Sequence, residues 1–276
     1  RSQLPGAATP FVLELLRAHG WAAVAALHRD GRDAVLRHYP CSLGVVRRAL
    51  GLIQHSAHGR AILAAHFGAA TVAHVAVIPL LASPARSPGR AEARRSLGLD
   101  EGVFVVASFG SAAATKMPDT IVAAWRGLRQ EQEWANARLV FVGDAAPATE
   151  QLFTGLPDVH ATGWTDAPTY RLWLAAADLA VQLRRDSRGE TSAAIVDCLA
   201  AGLPVIANAH GAAAELPSDI VMMLPDAVEA AELAAAIREL RDQPARRDGM
   251  AAAARHHATT VLAPAPIAAR YAAAIE

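Results

Sequence analysis

The pattern of apolar and polar residues alternates between short apolar runs and longer stretches with helical periodicity. Short apolar runs bounded by turn residues are typical of buried strands, and longer amphipathic stretches are typical of helices. The pattern predicts strands at residues 103–110, 137–144, 159–164, 178–183, 203–208 and 220–224. It predicts helices at residues 91–97, 119–129, 169–177, 191–201, 227–241, 246–258 and 266–275. Strands and helices that alternate in this way predict an α/β fold with a parallel sheet covered on both faces.

The first 81 residues give a weaker pattern. They predict helices at residues 11–18, 21–29 and 59–67 and strands at 49–55 and 72–81, which are too few strands for a complete doubly wound domain. Residues 82–90 contain two prolines and a glycine, so this linker is the best candidate for a domain boundary.

Composition narrows the functional classes. Lys and Arg together number 26, as do Asp and Glu, and a net charge of zero argues against nucleic acid as the main partner. The two cysteines, Cys41 and Cys198, lack metal-site spacing and favour a reducing compartment. Residues 61–82 contain no Asp, Glu, Lys or Arg, but Gly68 divides them into a helix and a strand, so we expect a soluble segment. No secretory signal is visible, and a first residue other than Met is typical of a processed or truncated chain.

The strongest candidate for chemistry is the segment 184–217. A polar loop follows the strand 178–183, and Thr191 and Ser192 are good N-cap residues for the next helix. A helix N-terminus at the carboxyl end of a parallel strand is a natural anion site. Asp197 lies about 8 Å further along this helix, where its carboxylate would reach a ribose, and Glu190 stands at the mouth of the site.

Each of these residues also has a plain structural reading. Thr191 caps a helix, Glu190 is a solvated loop acid, and Asp197 faces water. Their occurrence together in one loop–helix–strand unit favours a ligand site.

This segment resembles the donor site of the group 1 (retaining, GT-B) glycosyltransferases. Asp197 in VDCLAAGLPVIA matches the family's second carboxylate, and Gly211 and Glu215 in HGAAAE match its glycine-bearing turn, with Ala212 in place of a second glycine. The family's first carboxylate falls at Gly189, and the acid here is the next residue, Glu190.

A second match lies in FGSAAATKMPD, residues 109–119. Gly110 and Lys116 match a family glycine and a lysine that contacts the donor diphosphate, whereas Ser111 stands at the position of the family's arginine. The resemblance therefore implies one ammonium at the diphosphate, assisted by Arg184, Arg185 or Arg188. It also places Gly163 and Trp164 near the base.

The resemblance covers roughly residues 49–276 and implies a Rossmann-like, GT-B-type doubly wound parallel sheet with an incomplete N-terminal segment. The implied domains are a partial acceptor-side region at 1–84, a donor-binding domain at 85–262, and a C-terminal helix at 263–276 that packs back toward the N-terminal region. Lys116 and Glu190 are the implied catalytic residues. The implied donor-binding residues are Gly110, Ser111, Gly163, Trp164, Arg184, Arg188, Gly189, Thr191, Ser192 and Asp197.

The implied reaction moves a sugar, with retention, from a UDP- or GDP-linked donor to a glycan or lipid-linked acceptor in polysaccharide or glycoconjugate biosynthesis. No metal and no cofactor other than this donor are expected, because cations and a helix dipole neutralise the leaving diphosphate. The expected location is cytoplasmic, with peripheral association at the inner face of the membrane. Two alternatives stay open: a non-catalytic nucleotide-binding or interaction domain, and another GT-B enzyme such as a nucleotide-sugar epimerase.

Overall fold

The computed structural model describes residues 10–82 and 88–276, which group into two compact units. Unit 1 holds the described residues up to Ile78 together with Arg188–Glu190 and Tyr271–Glu276, and unit 2 holds the remainder. Most of the predicted linker at 82–90 lies outside the described residues. No helix within the described residues is long and apolar enough to cross a membrane.

Unit 1 consists of short helices and a two-stranded parallel sheet. Its elements are α1 (Pro10–Asp30), α2 (Arg32–His38), α3 (Leu43–Arg48), β1 (Leu52–Gln54), α4 (Ala57–Phe67) and β2 (Val75–Val77). Gly20 has non-helical angles and divides α1 as the two predicted helices require. The prediction of a strand at 72–81 was wrong in extent, because Val72 belongs to a 3₁₀ turn and Pro79 has no amide for a ladder. The sequence pattern missed α2 and α3.

Unit 2 contains the larger sheet. Its strands are β3 (Phe104–Phe109), β4 (Ala137–Val142), β5 (Val159–Ala161), β6 (Leu179–Gln182), β7 (Val205–Asn208) and β8 (Val221–Leu224). Its helices are α5 (Arg90–Ser96), α6 (Pro118–Leu128), α7 (Pro147–Glu150), α8 (Ala167–Ala176), α9 (Ala193–Ala201), α10 (Ala230–Asp242), α11 (Pro244–Thr260) and α12 (Pro264–Ile275), the last up to Arg270. Every pairing is parallel, which confirms the predicted α/β class.

The core of unit 2 covers both faces of this sheet. Alternate side chains of β3 point to opposite faces: Val105, Ala107 and Phe109 pack with α8 and α9, whereas Val106 packs with α6 and α10. Because both faces are covered, the central strands are continuous apolar runs, which is the pattern that the sequence shows.

The strand order creates a crevice at the carboxyl edge of the sheet. The order is β5-β4-β3-β6-β7-β8, so the chain first winds outward from β3 and then returns to β6 and winds the other way. Because β3 and β6 are neighbours in the sheet, the loops that follow them leave the sheet on opposite sides of the line between these two strands. In doubly wound sheets, ligands bind at this switch point.

Candidate functional site

Lys116 lies at the switch point, in the loop that follows β3. Its Nζ donates a hydrogen bond of 2.6 Å to the carbonyl of Phe109, the last residue of β3. The ammonium occupies the space in which a side chain at Gly110 would begin, and Gly110 itself has a positive φ of 86°. The backbone angle favours glycine at this position, and a larger residue would also displace the Lys116 ammonium.

The backbone after Lys116 is locally strained. Met117 has a φ of 54°, the only positive φ of a non-glycine residue within residues 10–82 and 88–276, and it is buried. Pro118 then begins α6 with its φ already suited to a helix. A buried left-handed methionine next to a charged side chain is an outlier of the kind that is concentrated at functional sites.

Lys116 is also the single lysine of the 276 residues. Within the part of the chain that the structure describes, no carboxylate pairs with it. Burial, followed by repulsion from the Arg184 guanidinium, lowers the pKa of Lys116 to about 8. A half-buried ammonium next to a second cation costs free energy that a bound anion would offset.

The loop that follows β6 is anchored by Asn208, the last residue of β7. The Asn208 side chain accepts a hydrogen bond from the Arg184 amide and donates to the Arg184 carbonyl, at 2.8 and 2.7 Å. It also donates to the carbonyl of Asp226, and it is almost fully buried. These bonds fix the point at which Arg184 leaves the sheet. Arg185, the next residue, pairs instead with Asp119 at the surface.

Helix α9 begins beside these loops with an open N-terminus. Ser192 is its N-cap and accepts a hydrogen bond from the Ile195 amide, as the sequence predicts. The amides of Ala193 and Ala194 have no acceptor within the described residues, and the hydroxyl of Thr191 is buried without a partner there. Unbonded amides at the positive end of a helix dipole form a natural binding site for phosphate.

Asp197 lies in α9 and does not simply face water. It is half-buried, and Tyr170 of α8 donates a hydrogen bond to its Oδ2 at 3.2 Å. The Tyr170 ring packs edge-on against Phe109 at 5.4 Å between centroids. Burial raises the pKa of the Asp197 carboxyl, and the bond from Tyr170 acts in the opposite direction. The Oδ1 atom of Asp197 accepts no hydrogen bond from any of the described residues.

The loop residues Arg188–Glu190 belong to unit 1. Gly189 is buried with a φ of 95°, and a Cβ there would lie 3.0 Å from the Cα of Gly59. The positive φ and this close approach both disfavour a side chain at Gly189. Glu190 is exposed, and its Oε2 accepts a hydrogen bond of 2.6 Å from the amide of Arg188, whose side chain is also exposed.

The other predicted site residues are more dispersed. Ser111 is exposed beside Gly110 and supplies no charge. Gly163 and Trp164 follow β5, an edge strand two positions from β3 in the sheet, and Trp164 is 78% exposed. Among the described residues, no hydrogen bond or ring contact joins Trp164 to the loops around Lys116. The structure thus groups Lys116, Arg184 and the α9 residues, and leaves the base subsite as a prediction.

Two residues of this site were missed in the sequence. The role of Tyr170 could not be inferred from the sequence, because in a predicted helix it is indistinguishable from any residue of the apolar face. Asn208 carried a recognisable signal, since a polar residue ends a predicted buried strand at the carboxyl edge of the sheet.

Comparisons with known proteins agree with this fold. The profile of the family described as "Glycosyl transferases group 1" matches residues 102–243. A D-inositol 3-phosphate glycosyltransferase of Kineococcus radiotolerans is 32% identical over 212 residues, which cover 67% of this chain and 48% of the relative. The chain therefore matches about half the length of that relative.

Solved structures show the same fold at lower identity. Sucrose-phosphate synthase of Thermosynechococcus elongatus superposes with a TM-score of 0.72 at 21% identity, covering 88% of this chain and 61% of that one. HepE of Anabaena, in complex with UDP-glucose, gives a TM-score of 0.74 at 19% identity, covering 92% and 74%. Both are similar to this chain in fold.

Proposed function

We propose that this chain, which belongs to the group 1 glycosyltransferase family, binds a nucleotide-diphosphate sugar and takes part in transferring its sugar. The observation that carries the proposal is the Lys116 ammonium. It is half-buried at the switch point of the sheet, its pKa is lowered by burial and then by the nearby Arg184, and no carboxylate among the described residues pairs with it. A diphosphate supplies the missing negative charge.

The proposed roles follow from the chemistry of each group. Lys116 and the amides at the start of α9, from Thr191 to Ala194, bind the diphosphate; Arg184 and Arg188 add positive charge. Asp197 accepts hydrogen bonds from the ribose hydroxyls. Glu190 holds sugar hydroxyls, and Gly163 and Trp164 lie near the base. Gly110 and Gly189 allow close backbone approach.

The proposed reaction proceeds with retention at the anomeric carbon and needs no metal. The bond from the anomeric carbon to the diphosphate oxygen breaks, and the leaving diphosphate carries the developing negative charge. Hydrogen-bond donors held in fixed positions around this charge stabilise it without reorganisation. Lys116 and the α9 dipole can therefore neutralise the leaving diphosphate, as a metal ion does in other enzymes. The proposed acceptor is a glycan or a lipid-linked saccharide, in polysaccharide or glycoconjugate biosynthesis.

The nucleotide is proposed to be UDP or GDP. UDP is the first candidate to test, because HepE of Anabaena, which shares the fold, was solved in complex with UDP-glucose. The proposed domains are the donor-binding domain at 85–262, flanked by an acceptor-side region at 1–84 and a C-terminal helix at 263–276. Location in the cytoplasm, at the inner face of the membrane, belongs to the same proposal.

A second candidate function is a nucleotide-binding domain without turnover. Ser111 removes one cation from the diphosphate site that the family resemblance implies, and the positive φ and close packing at Gly189 disfavour an acidic side chain there. Transfer of a sugar, measured separately from binding, distinguishes the two candidates.

The test is calorimetric titration with UDP, GDP and their glucose conjugates. We expect Lys116→Ala to weaken the bare nucleotide by about tenfold to a hundredfold, since a charge-assisted hydrogen bond is worth about 1.5–3 kcal/mol. Glu190→Ala should weaken the nucleotide sugar and spare the nucleotide, and Asp197→Ala should weaken both. The matched control Glu92→Ala removes an exposed acid of α5 and should change neither. Unchanged binding in all three site variants would contradict the proposed site.

A further inference from the structure

A polar cavity lies in unit 2, at the opposite edge of the sheet from the proposed donor site. Its volume is about 470 Å³, within the range of about 300–1,000 Å³ that small-molecule sites occupy. Asp178 precedes β6 and Leu203 and Pro204 precede β7, so the cavity lies at the amino ends of these strands. The donor site lies at their carboxyl ends, about 13 Å away along four residues of strand.

The cavity is lined by charged side chains from two helices, α5 and α11. Arg90 begins α5, and Arg247, Asp248 and Arg255 lie on α11. The Arg255 side chain covers Gly202, the left-handed C-cap of α9, so closely that no larger residue fits there.

The negative charge of Asp178 is already neutralised. Its carboxylate accepts hydrogen bonds from Arg90 at 2.6 Å, from the buried Arg94 at 2.8 Å and from the Val105 amide at 2.8 Å. Arg90 also donates to the carbonyls of Ala176 and Ala177 at the end of α8. These bonds fix the position of Arg90.

The charges on α11 are less completely satisfied. Arg247 donates from one nitrogen to two carbonyls, those of Leu240 and Arg241. The side chains of Arg255 and Asp248 have no ion-pair or hydrogen-bond partner within the residues that the structure describes. Three lining guanidiniums, those of Arg90, Arg247 and Arg255, thus face the carboxylates of Asp178 and Asp248, and the cavity has an excess of positive charge.

We propose that this cavity binds a small phosphate-bearing anion, at a site separate from the donor site. Guanidinium groups match the oxygen atoms of a phosphate through paired N–H donors. The volume leaves room for a small organic group attached to that phosphate. Arg247 and Arg255 are its ligands, and Asp248 opposes its charge.

The test uses inorganic phosphate as the probe. Phosphate is titrated against the isotopically labelled protein at constant ionic strength, with chloride as the replaced anion. The arginine Nε–Hε signals report binding, and those of Arg247 and Arg255 are assigned from the variants Arg247→Gln and Arg255→Gln. Each of these variants should bind phosphate about tenfold more weakly or worse, the loss expected for one charge-assisted hydrogen bond.

Two further variants distinguish phosphate binding in the cavity from non-specific attraction to positive charge on the helix. Arg246→Gln removes one positive charge from the same helix, but Arg246 pairs with Glu239 and does not line the cavity, so its affinity should stay within about twofold of the parent. Asp248→Asn removes a negative charge from the cavity and should bind phosphate more tightly. A purely structural role of the arginines would not give this opposite sign.

A control variant tests whether phosphate binding at the donor site causes the signal. Lys116→Ala should leave the arginine signals and their phosphate affinity unchanged, and this readout does not depend on whether a nucleotide binds. The thermal midpoint of each variant in chloride shows that the protein tested is folded. The proposal is overturned if Arg246→Gln weakens phosphate as much as Arg255→Gln, if Asp248→Asn weakens it, or if Lys116→Ala abolishes it.

Discussion

At the scale of the residue, the chain keeps one lysine and places it where a positive charge is costly. Arginine supplies all other permanent cations, which remain charged at any pH that a protein tolerates. An ammonium differs because it is compact and its pKa shifts on burial. The pKa of Lys116, lowered to about 8, therefore makes ligand binding sensitive to pH in a range where arginine would not respond.

This residue gives the first prediction, a fall in nucleotide affinity at alkaline pH. A bound diphosphate favours the protonated ammonium, so the pKa of Lys116 is higher in the complex than in the free protein. Affinity for UDP should be full below about pH 7 and fall as the pH rises through 8, by up to about tenfold per pH unit. Calorimetry between pH 7.5 and 9.5 measures this, since phosphate groups with a second pKa near 6 are already ionised there.

The variant Lys116→Arg is the matched control for this dependence. The guanidinium keeps a positive charge that does not titrate in this pH range. The UDP affinity of the variant should be lower than that of the parent, because the guanidinium has a different shape, but it should not change with pH. If the parent and Lys116→Arg share one pH profile, Lys116 does not contact the diphosphate. The single lysine offers an independent measurement: acetylation of its amine, followed by mass spectrometry, should be slower when UDP is bound.

Tyr170 gives a second prediction at the same scale. Tyr170→Phe removes the hydroxyl that donates to Asp197 and leaves the ring against Phe109, so packing is retained. We expect UDP affinity to fall by about twofold to tenfold, the net value of one hydrogen bond of about 0.5–1.5 kcal/mol. Pyrophosphate, which lacks a ribose, should bind as before. Tyr271→Phe serves as the control, and an equal loss for pyrophosphate would show that Tyr170 does not act through Asp197.

At the scale of the element, Asn208 joins the end of β7 to the loop that follows β6. One amide side chain satisfies the Arg184 amide and the carbonyls of Arg184 and Asp226. The position of Arg184 beside Lys116 therefore depends on the hydrogen bonds from Asn208 of the neighbouring strand, and not on the loop alone. This is why the polar loop 184–190 keeps a defined exit from the sheet.

Substitution of Asn208 is predicted to lower both the stability of the protein and its affinity for UDP. Asn208→Ala leaves three backbone groups without their partner and should lower the free energy of unfolding by about 2–3 kcal/mol. UDP affinity should fall as well, because Arg184 is no longer held. Denaturant unfolding and calorimetry measure the two effects. Asn136→Ala removes a single exposed side-chain bond to Gly102 and should change stability by less than about 1 kcal/mol. Equal effects of the two substitutions would refute the role of Asn208.

At the scale of the whole molecule, the sheet of unit 2 could be predicted and unit 1 largely could not. Unit 2 alternates buried apolar strands with amphipathic helices, and each signal is local in sequence. In unit 1, α2 and α3 span only seven and six residues, too few for a helical period to be visible. The site divides in the same way: Lys116 and Ser192 follow from local motifs, whereas the bonds from Tyr170 and Asn208 connect residues 27 and 24 positions apart.

The last prediction concerns what these 276 residues do by themselves. Their match to the Kineococcus relative covers 48% of that protein, and it is the donor-site motifs that the resemblance identifies. We therefore expect the chain to bind UDP or a nucleotide sugar, with a stabilisation of about 2.7 kcal/mol at a hundredfold excess over Kd, and to transfer the sugar slowly or not at all. A thermal-shift series measures the first, and a radiolabelled transfer assay with glycan and lipid-linked acceptors measures the second. Lys116→Ala should abolish most of the shift in the same series. Robust transfer by this chain alone would contradict the prediction, and the absence of any shift with every nucleotide would contradict the donor site itself.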